Sequence, residues 1–175
     1  MRYPLVLLTF CLAAWSASSQ SASIDGIIVT AYGIVSGPAG TRDGVDSNGF
    51  EHWSAHSGKV VEATTRIPAC IGVRFGIMYS AFGETGGKPV TVEEVYKYPR
   101  PGLRKPGVPS PKYEGYFPRG LVPGTGYGVW YEFDHSWELV PGDWILEIRD
   151  GKRLLASKTF TVVVPKKAEC PGLSV

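Results

Sequence analysis

Hydrophobic and polar residues alternate with a period of two through much of the chain, and the clearest alternations mark its strands. Three such runs follow one another from Tyr127 to Val164. In the first, Val129, Tyr131 and Phe133 oppose Gly128, Trp130 and Glu132. In the second, Trp144, Leu146 and Ile148 share a face, and Asp150-Gly151 closes a tight turn into Leu154–Val164. Asp-Gly between alternating runs signals a hairpin whose two central residues both take positive φ. Upstream, Ile71, Val73, Phe75, Ile77 and Tyr79 point one way, and Gly72, Arg74, Gly76 and Met78 the other. Ile24–Val35 reads as a first strand, apolar on both faces and hence covered twice or switching sheets. Residues 36–50 read as a loop, Lys59–Ile67 as a second strand ended by Pro68, and Val90–Tyr98 as a strand whose phase breaks at Glu93-Glu94, where a β-bulge would restore it. Pro99–Pro118 carries six prolines and predicts an extended, polyproline-like crossover on the surface, with 113–117 pairing briefly at an edge. No helical periodicity is sustained. The pattern predicts an all-β, antiparallel β-sandwich.

The N-terminus departs from this pattern. Arg2 precedes an apolar run, Leu5 to Trp15, broken only by Thr9, and Ser21-Ala22-Ser23 supplies a small-x-small cleavage site, with a cut after Ala17 to Ser19 as the alternative. The run is too short to span a bilayer. Bulky Phe10 before Cys11 argues against lipid attachment there. The expectation is a signal peptide at 1–23 and a single domain at 24–175, periplasmic or secreted. No second hydrophobic stretch predicts a membrane span.

Charge adds little. The chain carries 18 basic and 16 acidic residues, net +2; removing Arg2 leaves 17 against 16, or +1. That average gives no footprint for nucleic acid or an anionic membrane. Two cysteines remain after cleavage, Cys70 and Cys170, and an even count in an oxidising compartment predicts a disulfide between them, against the alternative of two free thiols.

The run Phe133-Asp-His-Ser-Trp-Glu-Leu-Val-Pro-Gly-Asp-Trp144, followed by Glu147-Ile-Arg-Asp-Gly151 and Phe160-Thr-Val-Val163, resembles the C-terminal half of a bacterial family catalogued as domain of unknown function 3859. Arg74–Ile77 and Tyr98–Leu103 are similar to its middle, and Ala31–Ile34 to its start. The resemblance covers most of 26–164. It implies an immunoglobulin-like sandwich, usually exported, and brings no activity, cofactor or catalytic residue.

Candidate chemistry is sparse. His52 and His56, with Glu51 beside them, stand at i and i+4, but Gly49 and Gly58 flank them and an extended segment would hold them about 13 Å apart. No metal or other cofactor is expected. There is no Gly-x-Ser-x-Gly elbow, and Cys70, between Pro-Ala and a strand, suits a structural role. Glu93 and Glu94 fall on opposite faces. Asp134, Trp137 and Glu138 combine carboxylates with an aromatic ring, as a sugar site does, although a solvated loop capping the sandwich edge accounts for them better. The Pro-x-x-Pro spacing from Pro106 to Pro111 reads as a rigid connector rather than a recognition motif. Arg74, Met78 and Trp130 would form an outer patch floored by Gly76, of the composition found at binding hot spots, unless the proline-rich segment covers Trp130. The sequence therefore predicts a non-enzymatic binding or interaction module with an unknown protein or glycan partner and no nucleic acid. The alternatives are a carbohydrate-binding or sugar-active protein and a purely structural envelope component.

Overall fold

Alternation becomes two sheets packed face to face in the computed structural model, which describes residues 22–38, 58–84, 88–165 and 170, with the backbone alone of the strands at 41–45 and 51–54. The strands are β1 (Gly26–Ser36), β2 (Thr41–Val45), β3 (Glu51–Ser54), β4 (Lys59–Glu62), β5 (Arg66–Pro68), β6 (Arg74–Phe82), β7 (Val90–Lys97), β8 (Glu114–Leu121), β9 (Gly126–Glu132), β10 (Gly142–Asp150) and β11 (Arg153–Val163). One sheet has the order β4-β1-β6-β9 and the other β5-β11-β10-β7-β8, while β2 and β3 form a separate hairpin. Every named pairing is antiparallel except β5 with β11.

The inward rows fall where the alternation puts them. Phe75, Ile77 and Tyr79 of β6 and Trp144, Leu146 and Ile148 of β10 are all 2% exposed or less. The ring of Phe75 meets Phe133 at 5.4 Å, Trp144 at 5.8 Å and Phe160 at 5.2 Å, so both sheets grip one aromatic cluster. Along the flank where β1 and β11 are unpaired, inward-pointing Lys158 lays its ammonium over the Tyr32 ring at 3.3 Å. A charge placed there discourages edge-to-edge pairing with another chain.

Several local expectations are corrected. The segment 59–67 is not one strand: it breaks after Glu62, and Arg66–Pro68 joins the opposite sheet beside β11. The loop at 36–50 contains β2, paired with β3. No bulge interrupts Glu93-Glu94, since β7 keeps continuous register with both neighbours; Glu94 instead turns into the core, 3% exposed. The register shifts lie instead at Thr30 of β1, Asp43 of β2, Val61 of β4 and Leu155 of β11. The turn after β10 is centred on Gly151-Lys152, because Asp150 pairs with Arg153. Only Gly151 takes positive φ, at +56°, the requirement of a type II′ turn with glycine first. The proline-rich segment is no crossover. It links β7 to its own neighbour β8, which runs longer than expected and tolerates Pro118 as a sheet edge does.

Cys70 and Cys170 are bonded, with Cα atoms 5.6 Å apart across a sequence separation of 100. A closed loop of that size removes about 4.7 kcal/mol of chain entropy from the unfolded state. Cys70→Ala combined with Cys170→Ala is therefore expected to lower the unfolding free energy by about 2–5 kcal/mol in urea titrations, while the denatured, unreduced parent shows no thiol from this pair.

Candidate functional site

The outer face of the four-stranded sheet is built by β1, β6 and β9. Antiparallel pairing sets Arg74 opposite Glu132, Gly76 opposite Trp130 and Met78 opposite Gly128, so the residues that alternation assigned to an outer patch are neighbours. On the other side of β6, Phe82 pairs with Gly26, Ser80 with Ile28 and Met78 with Ala31. The outward row from Phe82 to Gly76, with its partners on β1 and β9, contains no charged residue. Ile28 is 58% and Phe82 48% exposed.

Arg74 is not part of an open surface. It is 9% exposed. Its Nε and Nη2 donate to the two carboxylate oxygens of Glu132 at 2.6 and 3.1 Å, and Nη1 donates to the carbonyls of Gly37 and Pro38 at 2.8 Å each. A guanidinium forked onto one carboxylate and two carbonyls ties β6, β9 and the end of β1 together and has little left for a ligand.

Trp130 is half-buried, and the proline-rich segment is not what covers it. Its indole lies flat over Gly128: a Cβ there would sit 2.4 Å from Cζ3 of Trp130 and 3.0 Å from Sδ of Met78. Gly58, just before β4, also approaches this ring, at Cη2 and Cζ2, with Val35 beside it. The glycine floor is thus filled by the tryptophan. The open part of the face is the strip running from the rim of Met78 to Ile28 and Phe82, a strip that alternation did not isolate because exposure on an uncovered face has no sequence signal.

The loop candidates separate into roles. Glu138 is 7% exposed. Its Oε1 accepts the Tyr131 hydroxyl at 2.7 Å, and its Oε2 accepts the backbone N–H of Asp134 and His135 at 2.8 and 2.7 Å. It closes the 3-10 turn Ser136–Glu138 and is consumed in doing so. Trp137 is half-buried under the exposed His135, the rings stacked at 5.4 Å. Asp134 is exposed, yet burial of its carboxyl, with Glu132 and Glu138 close by, pushes its pKa up to about 6. The pair Asp134 and Glu138 therefore offers one accessible carboxylate. His52 lies in β3 with its side chain undescribed, and His56 lies outside the described residues. No cluster of three or more potential metal ligands occurs among the described residues, and no helix among them is long and apolar enough to cross a membrane.

Between the sheets the core is not all hydrocarbon. The Glu94 carboxylate accepts the Tyr79 hydroxyl at 2.8 Å and the Arg119 guanidinium at 3.1 and 3.3 Å. Burial raises its pKa, and Arg119 opposes that rise. Burial likewise lifts Tyr79 well above the usual phenol range. This is a satisfied cluster joining β6, β7 and β8.

Two outcomes are expected. Arg74→Ala strands Glu132 and two carbonyls and should cost about 3 kcal/mol, read from a urea midpoint. Asp134→Asn acts through linkage. With a folded pKa near 6 and an ordinary value of 3.8, the native state holds the extra proton between those values, so this group's contribution falls as pH rises through that window. At pH 7 the variant should be the more stable, by about 1 kcal/mol or less because solvent screens an exposed site; below pH 4 the two should coincide.

The family model described as Domain of unknown function (DUF3859) matches residues 29–162. A solved immunoglobulin-like protein from Pseudomonas aeruginosa is similar at 28% identity and a TM-score of 0.57, over 84% of this chain and 100% of that one. A β-glucosidase from Listeria innocua, solved in complex with glucose, aligns at 11% identity and a TM-score of 0.33, over 59% of this chain and 15% of that one, a likeness too slight to argue from. No curated protein matches.

Proposed function

This chain belongs to the DUF3859 family of unknown function and has an immunoglobulin-like fold, and we propose that it is a non-enzymatic interaction module. It acts through the uncharged strip of β1 and β6 bounded by Ile28, Phe82, Met78 and the rim of Trp130. The observation that carries this reading is the contrast between the two outer faces. That of the five-stranded sheet is a lattice of paired charges, with Glu147 between Lys97 at 2.8 Å and Arg149. That of the four-stranded sheet, along β1, β6 and β9, turns out no charge except the mutually neutralising Arg74 and Glu132. An antiparallel sheet facing water ordinarily shows a polar outer row, and a contiguous apolar patch marks a contact surface.

Export to an oxidising compartment fits the bonded cysteines and the apolar leader. The sugar-site alternative has less support, because Glu138 spends its lone pairs on Tyr131 and two backbone amides. A purely structural role leaves the uncharged strip without a use.

A photo-crosslinking residue placed in cells at position 80, in the middle of the strip, should yield a discrete adduct. The same residue at position 93, on the charged face, should yield none. Ile28→Ser with Phe82→Ser should remove the adduct while moving the unfolding free energy by no more than about 1 kcal/mol, as exposed substitutions do. Equal adducts from both positions, or none from position 80, would count against this reading.

A further inference from the structure

The averaged charge of the chain conceals a segregated one. Residues 98–113 carry Arg100, Arg104, Lys105 and Lys112 and no acid, so this segment holds +4 of a total of +2 and the remainder of the chain is −2. The segment is also built rather than loose. Leu103 is 0% exposed, and it exchanges two backbone hydrogen bonds with Lys112, at 2.8 and 2.9 Å, while Tyr98 N donates to the Tyr113 carbonyl at 2.9 Å. This pins a proline-rich hairpin to the core and holds Arg100 and Arg104 out in solvent, beside exposed Pro101, Pro106 and Pro109.

Carboxylates of the adjoining strands have partners of their own. Glu94 is held by Arg119, Glu147 by Lys97 and Arg149, and Glu114 accepts the Tyr116 hydroxyl. Arg104 has no carboxylate partner among the described residues, and the partner of Arg100 is the ring of Tyr113, 4.6 Å away. Tyr113 and Tyr116 are themselves 38% and 50% exposed. Two exposed arginines, Arg100 and Arg104, interleaved with exposed tyrosine and proline rings, match the chemistry of the lipid headgroup region, where phosphates attract the cations and aromatic rings settle at the interface.

We propose that the hairpin at 98–113 docks peripherally on an anionic phospholipid surface, with Arg100 and Arg104 on the phosphates. The surface belongs to the five-stranded sheet and is separate from the uncharged strip, so failure of either reading leaves the other intact.

The test is sedimentation of the full chain with phosphatidylglycerol–phosphatidylcholine vesicles against phosphatidylcholine alone. Each cation near the surface contributes about five-fold to partitioning, so Arg100→Ala with Arg104→Ala should weaken binding roughly 25-fold. Rising salt should weaken the parent. Arg100→Lys with Arg104→Lys should retain binding. Arg66→Ala with Lys152→Ala, which removes the same charge from exposed sites elsewhere, should bind as the parent does. Thermal melts establish that each variant is folded. No preference of the parent for phosphatidylglycerol, undiminished binding by the alanine pair at 100 and 104, or an equal loss in the control pair would overturn the proposal; the first of these would hand the surface to an acidic protein partner.

Discussion

The indole of Trp144 is the point on which the two sheets are hung. It is fully buried, and rings from three other segments converge on it: Tyr131 at 4.9 Å, Tyr98 at 5.0 Å, Phe133 at 5.5 Å and Phe75 at 5.8 Å. Its Nε1 donates to the Val140 carbonyl at 2.9 Å, which fixes the ring's rotation as well as its depth. Each such ring pair adds about 0.5–1.5 kcal/mol beyond simple burial. Position matters more than energy here. With Tyr131 and Phe133 committed inward against Trp144, the period of two leaves Trp130 and Glu132 no choice but the outer face. Glu132 is then in reach of Arg74, and Trp130 lies down on Gly128. The composition of the outer surface is a consequence of how the inner one packs.

Register is guarded a second time by polar groups. Glu94 inside the sandwich meets a tyrosine and an arginine, and Glu138 meets a tyrosine and two amides. A slip of one residue in β7 would bring Glu93 inward and send Glu94 out, abandoning a buried hydroxyl and a guanidinium. Unpaired buried polar groups cost about 1–3 kcal/mol each, so the misregistered sheet is disfavoured by more than its lost apolar contacts. These carboxylates therefore read as structural parts. A general acid or base needs a lone pair or proton free to meet a substrate, and theirs are engaged within the fold.

This also explains what could be read in the chain and what could not. Faces were legible wherever a strand was long and its inward row apolar, as in β6, β9 and β10, because burial follows side-chain alternation directly. The reading failed at Glu94, since alternation treats an inward carboxylate as a break in phase; only the distant Tyr79 and Arg119 make it an inward residue, and their approach is a product of the folded topology. It failed in the same way for Arg74, whose exposure was inferred from its face, while its burial comes from Glu132 and the chain end at Gly37 and Pro38. The break between β4 and β5 was hidden because Ala63-Thr64-Thr65 carries neither proline nor glycine. The prolines at 99–118 excluded a central strand correctly, but composition could not say that the segment's two ends lie side by side.

Charge shows the same dependence on pairing. Summed over the chain it comes close to cancelling, and a sum cannot distinguish a surface of matched pairs from one with its cations gathered apart. The structure separates three regimes. The outer face of β7 and β10 carries charges of both signs that are paired with one another, Glu147 with Lys97 and Arg149. The strip of β1 and β6 is neutral because it has none. The hairpin at 98–113 is pinned by a buried Leu103 and holds Arg100 and Arg104 in solvent, neither with a carboxylate partner among the described residues. A face of paired charges gains little from a partner, since displacing its ion pairs costs about what new ones return. The other two gain by contact, one by losing exposed apolar area and the other by finding counter-charge. That difference in what each surface lacks, rather than any inventory of residue types, is the reason for proposing two docking faces and for leaving the third to water.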